Sequence, residues 1–310
     1  MGISAKDVKE LREMTGAGMM DCKKALTETN GDMDKAVDWL RENGLAKAAK
    51  KQSRIAAEGI VTTVVSADGK KAAMVEVNSE TDFVAKNEKF TTYVSEVANQ
   101  ILTSSAADMD AFMAEPAVQD SSVTVADQLA SMTATIGEKL SIRRFEKVET
   151  DGMVASYIHG GGKIGVLVIA DTDSDSEAVK ECLKNIAMQA AAMKPQYTTR
   201  DEVDQAYIEK EKEILTQEAK KEKPDANDKI INGMVMGRIN KELKEICLLD
   251  QVYVKAEDGK QSVAQYVAEV AKANGCALAV KKFIRFETGE GMEKKNEDFA
   301  AEVAAQMAGN

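Results

Sequence analysis

The chain has 310 residues, room for roughly two domains and for cores that need no disulfide or metal staple. Hydrophobic residues make up 44% and charged residues 30%, the balance of a globular protein rather than a disordered one. With 41 Lys+Arg against 52 Asp+Glu the net charge is −11, which repels phosphate backbones and sets nucleic acid aside as a main partner.

Residues 4 to 43 read as three short helices. Ser4 and Asp7 have the spacing of a capping box, Val8 and Leu11 follow at helical intervals, and Gly16 stops the first helix. A second helix is expected from Met19 to Thr29, and Asn30-Gly31-Asp32 supplies a turn and a fresh cap. A third carries Met33, Ala36, Val37 and Leu40 to a stop at Gly44. The basic stretch Lys47 to Arg54 shows no apolar stripe, so it reads as a solvated linker or a helix running out to the next domain.

An internal repeat follows. Glu58-Gly59-Ile60-Val61 and Asp151-Gly152-Met153-Val154 open two units 152 − 59 = 93 positions apart. Each continues as a strand, a glycine turn (Ala67-Asp68-Gly69; Gly160-Gly161-Gly162) and an apolar strand (Ala73 to Asn78; Ile164 to Asp171). Each then enters a helix, Glu88 to Leu102 or Glu177 to Met193, and closes much later with Ser141 to Glu146 or Phe283 to Glu287. Glycine-turn hairpins followed by helices imply antiparallel sheets with helices on one face. The expected fold is therefore α+β, with two related sheet-plus-helix subdomains side by side. Between the second unit's helix and its closing strand, Asp201 to Glu222 and Lys229 to Cys247 flank Lys223-Pro224-Asp225 and read as an inserted helical hairpin. The expected division is 1–54 for the three-helix module and linker and 55–148 for the first subdomain. Residues 149–200 with 248–287 form the second subdomain, 201–247 the hairpin, and 288–310 a C-terminal module with a helix from Phe299 to Met307.

Little of this sequence offers covalent chemistry. Cys22, Cys182, Cys247 and Cys276 contain no C-x-x-C pair, which argues for reduced, mostly buried thiols rather than disulfides or zinc. His159 is the single histidine, so a triad would have to use it and a His-based metal cluster is not available. Gly160-Gly161-Gly162-Lys163 lacks the phosphate-loop pattern, since Tyr157 and Ile164 stand where Gly and Ser or Thr are needed. The longest apolar run, Val166 to Ala170, is far short of the ~20 residues of a membrane span. MGISAK has no apolar signal core, and a cytosolic location is expected.

Two features point to recognition of a partner. Met19 and Met20 follow the glycine corner Gly16-Ala17-Gly18, either as core filler or as a contact patch. The segment Glu76 to Asn87 (EVNSETDFVAKN) leaves a strand without a good helix start or tight turn and sets Asp82 beside Phe83. If Phe83 is buried it anchors a loop. If it is exposed, ring and carboxylate form a probe able to wedge into an apolar slot, a burial worth on the order of 2 kcal/mol. Two further readings stay open on the residues alone: a non-catalytic adaptor or scaffold, and a small-molecule enzyme built on His159 and the glycine turn.

The segments LREMTGAGMMDCKKAL (Leu11 to Leu26) and EVNSETDFVAKN resemble the two signatures of the elongation factor Ts family. KAAKK, IGEKLSIRR, HGGGKIGVLV, MVMGR and FIRFETGEGMEK support the resemblance, in order, over essentially the whole chain. The resemblance implies a guanine nucleotide exchange factor for elongation factor Tu, without covalent chemistry or a cofactor of its own. It implies a ubiquitin-associated-like N-terminal module docking through Met19, Met20 and Lys23 on the partner's nucleotide-binding domain. Thr81, Asp82, Phe83 and Val84 would displace the partner's Mg²⁺, with Phe83 inserted between partner helices and Asp82 disturbing the ion. Ile136, Gly137 and His159 would touch the same partner, and the hairpin would contribute Met234 and Val235. A one-to-one complex and a dimer of heterodimers both remain open. The family's Gln-Pro-Phe reads Gln251-Val252-Tyr253 here, and its histidine in the helix before Pro195 is replaced around Asn185, so no role is carried to those positions.

Overall fold

The computed structural model describes residues 3–293, so the expected helix Phe299 to Met307 lies outside the described residues. In the N-terminal unit, α1 (Ala5–Thr15) begins at the Ser4/Asp7 capping box and ends at Gly16, which takes the left-handed conformation at φ 67°. After it come α2 (Met19–Glu28) and α3 (Met33–Ala49). Val8, Leu11, Cys22, Ala25, Leu26 and Ala36 form their small core. One expectation changes here: helix α3 does not stop at Gly44 but runs through it to Ala49, so the stretch from Lys47 begins as helix, the second of its two readings, with Ala48 buried.

The first repeat unit consists of β1 (Glu58–Val65), β2 (Lys71–Ser79), α4 (Asp82–Ala85), α5 (Glu88–Thr103), α6 (Met109–Ala114), α7 (Val125–Ile136) and β3 (Ser141–Glu149). The second has β4 (Met153–His159), β5 (Ile164–Thr172) and α8 (Glu177–Met193). The hairpin α9 (Gln205–Glu222) and α10 (Asp228–Ile246) follows, then α11 (Val263–Asn274) and β6 (Leu278–Glu287). Helices α4, α6, α7 and α11 were not among the expected elements. Gly44 is where α3 meets α7, with the Ala134 methyl 3.4 Å from where a Cβ would sit, so the glycine permits close helix packing.

Each unit is a three-stranded antiparallel sheet, in order β1-β2-β3 and β4-β5-β6. The bulge between Glu76 and Val77 recurs between Ile169 and Ala170, 169 − 76 = 93 positions on. The repeated glycines explain themselves at that bulge: a Cβ on Gly59 would strike the Val77 carbonyl, and one on Gly152 the Ala170 carbonyl.

The subdomains stack sheet on sheet rather than lying side by side. Alternate residues of β2 face opposite ways: Ala73, Val75 and Val77 pack under α5, while Ala72 and Met74 meet Val154, Leu167, Ile284 and Phe286 between the sheets. Val166, Val168 and Ala170 of β5 pack under α8 and α11. The layers therefore run helix, sheet, sheet, helix, and the central strands are apolar almost throughout because both their faces are covered.

One carboxylate joins the two sheets. Glu76 is fully buried and accepts hydrogen bonds from Arg143 Nη1 (3.0 Å), Arg144 Nε (2.6 Å), Asn78 Nδ2 (3.0 Å) and the Gly289 N–H beyond β6 (2.8 Å). Burial pushes its pKa up, but the Gly289, Asn78 and arginine hydrogen bonds outweigh burial and hold it below the usual carboxylate value. Arg143 and Arg144 also donate to the carbonyls of Glu290 (2.6 Å) and Glu287 (3.2 Å), tying the chain end of the second sheet to the first.

In the hairpin, Ile231, Val235, Ile239 and Leu243 form a stripe at intervals of four, packed with Ala219 and Leu215 of α9. The thiols are free; Cys22, Cys182 and Cys247 are buried and Cys276 is half-buried. Burial raises the Cys22 thiol pKa and pushes Cys182 and Cys247 to about 11, so these are packing residues rather than reactive thiolates. Among the described residues no helix is long and apolar enough to cross a membrane.

Candidate partner interface

The expectation that Glu76 to Asn87 lacks a helix start is corrected at Thr81. Its hydroxyl accepts from the Val84 N–H (3.4 Å) and caps the single turn α4. Val84 and Ala85 point into the core of the first unit, and successive helical residues are turned by about 100°. Phe83 is consequently driven outward, and its residue surface is 80% exposed. At the far side Asn87 caps α5 through bonds to the Lys89 and Phe90 amides (2.9 and 3.4 Å), with Phe90 fully buried. The exposed ring thus stands on a short turn clamped at both ends.

Asp82, one position earlier, pairs with Lys86 at 2.7 Å across a helical turn. The Lys86 hydrogen bond is the main reason its pKa lies below the usual carboxylate value. The charge of Lys163, on the β4–β5 hairpin of the second unit, adds to the effect. That hairpin rests on β1: Val61 N–H donates to the Gly162 carbonyl (2.7 Å), and Lys163 Nζ reaches Glu58 (2.5 Å). Gly162 has φ 99°, and a Cβ there would overlap Ile60, so the tight seating needs glycine. His159 ends β4, exposed, with Nδ1 3.1 Å from the Tyr157 hydroxyl.

Ile136 is half-buried against the first core, and Gly137 ends α7 in the left-handed conformation at φ 88°. The next two residues reach the probe directly. Glu138 accepts from Thr81 N–H (3.0 Å) and from the Thr81 hydroxyl (2.8 Å), and Lys139 N–H donates to Glu80 (2.6 Å). Residues 80–81, which precede Asp82 and Phe83, and residues 138–139, which follow Ile136 and Gly137, are therefore bonded to one another, while His159 and Lys163 lie on the hairpin that rests on β1. Met19 and Met20 form a separate patch: they are 60% and 75% exposed at the start of α2, with Lys23 exposed on the next turn. Met14, on the other side of the glycine corner, is 58% exposed as well.

Val235 faces the other way. It is buried in the seam of the helical hairpin, with Met234 half-buried beside it, so Val235 offers no direct contact surface; Met236 is the exposed methionine there. Glu138 and Lys163 were not among the expected site residues. Glu138 directly follows the expected Ile136 and Gly137, and Lys163 follows a glycine run that lacks the phosphate-loop pattern.

The elongation factor Ts family model matches residues 80–290. The chain is 54% identical over 305 residues to elongation factor Ts of Clostridioides difficile (strain 630), covering 98% of this chain and 99% of that protein. It is 52% identical over 307 residues to the elongation factor Ts of Clostridium botulinum (strain Eklund 17B), again covering 98% and 99%. For the Clostridium tetani elongation factor Ts the identity is 50% over 307 residues, with the same coverage.

Proposed function

The chain belongs to the elongation factor Ts family, and from that premise we propose that it binds GDP-bound elongation factor Tu, weakens the partner's hold on Mg²⁺ and so speeds GDP release during translation elongation. The observation that carries the reading is the exposure of Phe83 on a turn clamped at both ends. A ring of this size left in water on a rigid support favours burial in a partner, on the order of 2 kcal/mol. Because the support is already ordered, little conformational entropy opposes that insertion.

Asp82 arrives with the ring and is ionised at neutral pH. An anion placed beside a Mg²⁺ site competes for the strongest local charge of that site. The N-terminal methionine patch with Lys23 serves as the second contact, and the β4–β5 hairpin with His159 and Lys163 as a third. No bond is made or broken. Exchange of this kind is thermodynamic opposition between two ligands: the factor by which this protein weakens GDP is the factor by which GDP weakens this protein. Each ~1.4 kcal/mol of that opposition is tenfold in affinity.

The test is release of fluorescent GDP from elongation factor Tu with and without this protein. Acceleration supports exchange. Binding without acceleration points to the adaptor reading, which the exposed methionine patch alone would also serve.

A further inference from the structure

The contact between Glu138 and Thr81 does more than join two loops. The Thr81 hydroxyl has one proton and must also accept from the Val84 N–H to cap α4. The hydroxyl donates through that proton to Glu138 Oε1 at 2.8 Å, while Oε2 accepts from the Thr81 backbone N–H at 3.0 Å. With the proton committed, the hydroxyl lone pairs are turned toward Val84. The carboxylate therefore sets both the backbone and the side-chain rotamer of the residue from which the Phe83 turn springs.

The neighbouring acid extends the same brace. Glu80 accepts from Lys139 N–H at 2.6 Å and from Arg54 at 3.2 Å, and Lys139 Nζ donates to the carbonyls of Gln52 (2.6 Å) and Arg54 (2.9 Å). Lys51 donates to the Gly137 carbonyl. The end of the linker from the N-terminal helices, the turn after α7 and the base of the probe are thus one bonded unit. Charge-assisted bonds of this kind are the stronger and more directional ones.

We infer that Glu138 is a positioning residue for nucleotide exchange, holding the α4 turn so that Phe83 and Asp82 are presented in a single geometry. The inference rests on the exchange reading above. Glu138 touches neither nucleotide nor metal; it acts through Thr81.

The test measures fluorescent-GDP release from elongation factor Tu against the concentration of wild type, Glu138→Ala, Glu138→Gln, Phe83→Ala and the double variant Glu138→Ala/Phe83→Ala. Glu138→Ala is expected to lower the maximal release rate by about tenfold, while the half-saturating concentration moves by less than about twofold. Glu138→Gln keeps one oxygen acceptor and recovers part of the rate. In the Phe83→Ala background the Glu138→Ala change costs much less than it does in wild type, because most of its effect passes through that ring and only the part carried by Asp82 remains. Thermal midpoints of all variants stay far above the assay temperature, so the folded fraction in the assay is that of wild type. The inference is overturned if Glu138→Ala releases GDP at the wild-type maximal rate, if its loss multiplies with that of Phe83→Ala, or if Glu138→Gln is as impaired as Glu138→Ala. A rate loss that simply follows a fall in thermal midpoint overturns it as well. If Phe83→Ala itself exchanges normally, the exchange reading fails first and this inference falls with it; a defective Phe83→Ala beside a normal Glu138→Ala removes only the positioning role.

Discussion

The two repeat units differ most where each leaves its central strand. In the strands they keep step at 93 positions, down to the bulge and the glycine that faces it. In the helices the step is 89: buried Phe90, Tyr93, Val94, Val97, Ala98 and Ile101 of α5 correspond to Val179, Cys182, Leu183, Ile186, Ala187 and Ala190 of α8. The missing four positions lie in the connection, residues 80–87 in the first unit and 173–176 in the second. The second unit passes straight from β5 to the Ser176 cap of α8. The first spends its extra residues on α4, which buries Val84 and Ala85 and turns Phe83 out. A duplicated scaffold thus supplies rigidity twice and a probe once.

That asymmetry can be attacked at several points. The largest effect is expected at the joint between the units. Glu76→Ala leaves Arg143, Arg144 and the Gly289 N–H without their shared acceptor, and should cost about 3–5 kcal/mol in chemical denaturation. Because the folded pKa of Glu76 is depressed, its contribution is present above the ordinary carboxylate pKa of about 4.3 and fades as pH falls through the lower folded value. Acid titration of wild type should therefore show a stability loss below pH ~4.3 that Glu76→Gln lacks.

Next comes the probe. Phe83→Ala should slow stimulated GDP release by about thirtyfold, the equivalent of about 2 kcal/mol, with the melting temperature unchanged because the ring is exposed. The shared part of the scaffold is tested by Gly59→Ala and Gly152→Ala. Each should lose at least about 1 kcal/mol of stability, since the equivalent carbonyl is struck in each sheet, and Gly59→Ala should lose more because Gly59 alone sits at φ 126°. A larger loss at Gly152 would show that the clash and not the backbone conformation sets the cost. The smallest effect is at the β4–β5 hairpin: His159→Ala should reduce stimulated release about threefold, the scale of one hydrogen bond.

Much of the scaffold was legible in the sequence. The Ser4 and Asp7 box, Gly16, the paired glycines at 59 and 152 and the apolar strands each carry a local physical signature, and each appears in the fold. The α4 turn was not legible, because four residues cannot display a helical period and its cap is recognisable only once Val84 and Ala85 are known to be buried. Glu138 lies 57 positions from Thr81, beyond any local pattern. Helices α7 and α11 were there to be read, since Thr124/Asp127 and Ser262/Gln265 are capping boxes. Val235 was placed at an interface by family resemblance, although its spacing from Ile231 and Ile239 puts it in the hairpin seam.

The most direct measurement is stimulated GDP release from elongation factor Tu, with this protein and with Phe83→Ala, in excess Mg²⁺ and again in chelator. If the probe works by loosening the ion, wild type should accelerate release strongly in Mg²⁺ and only weakly once the ion has been stripped, and Phe83→Ala should show little acceleration in either. The same fold acceleration by wild type with and without Mg²⁺ would contradict displacement of the ion as the source of exchange.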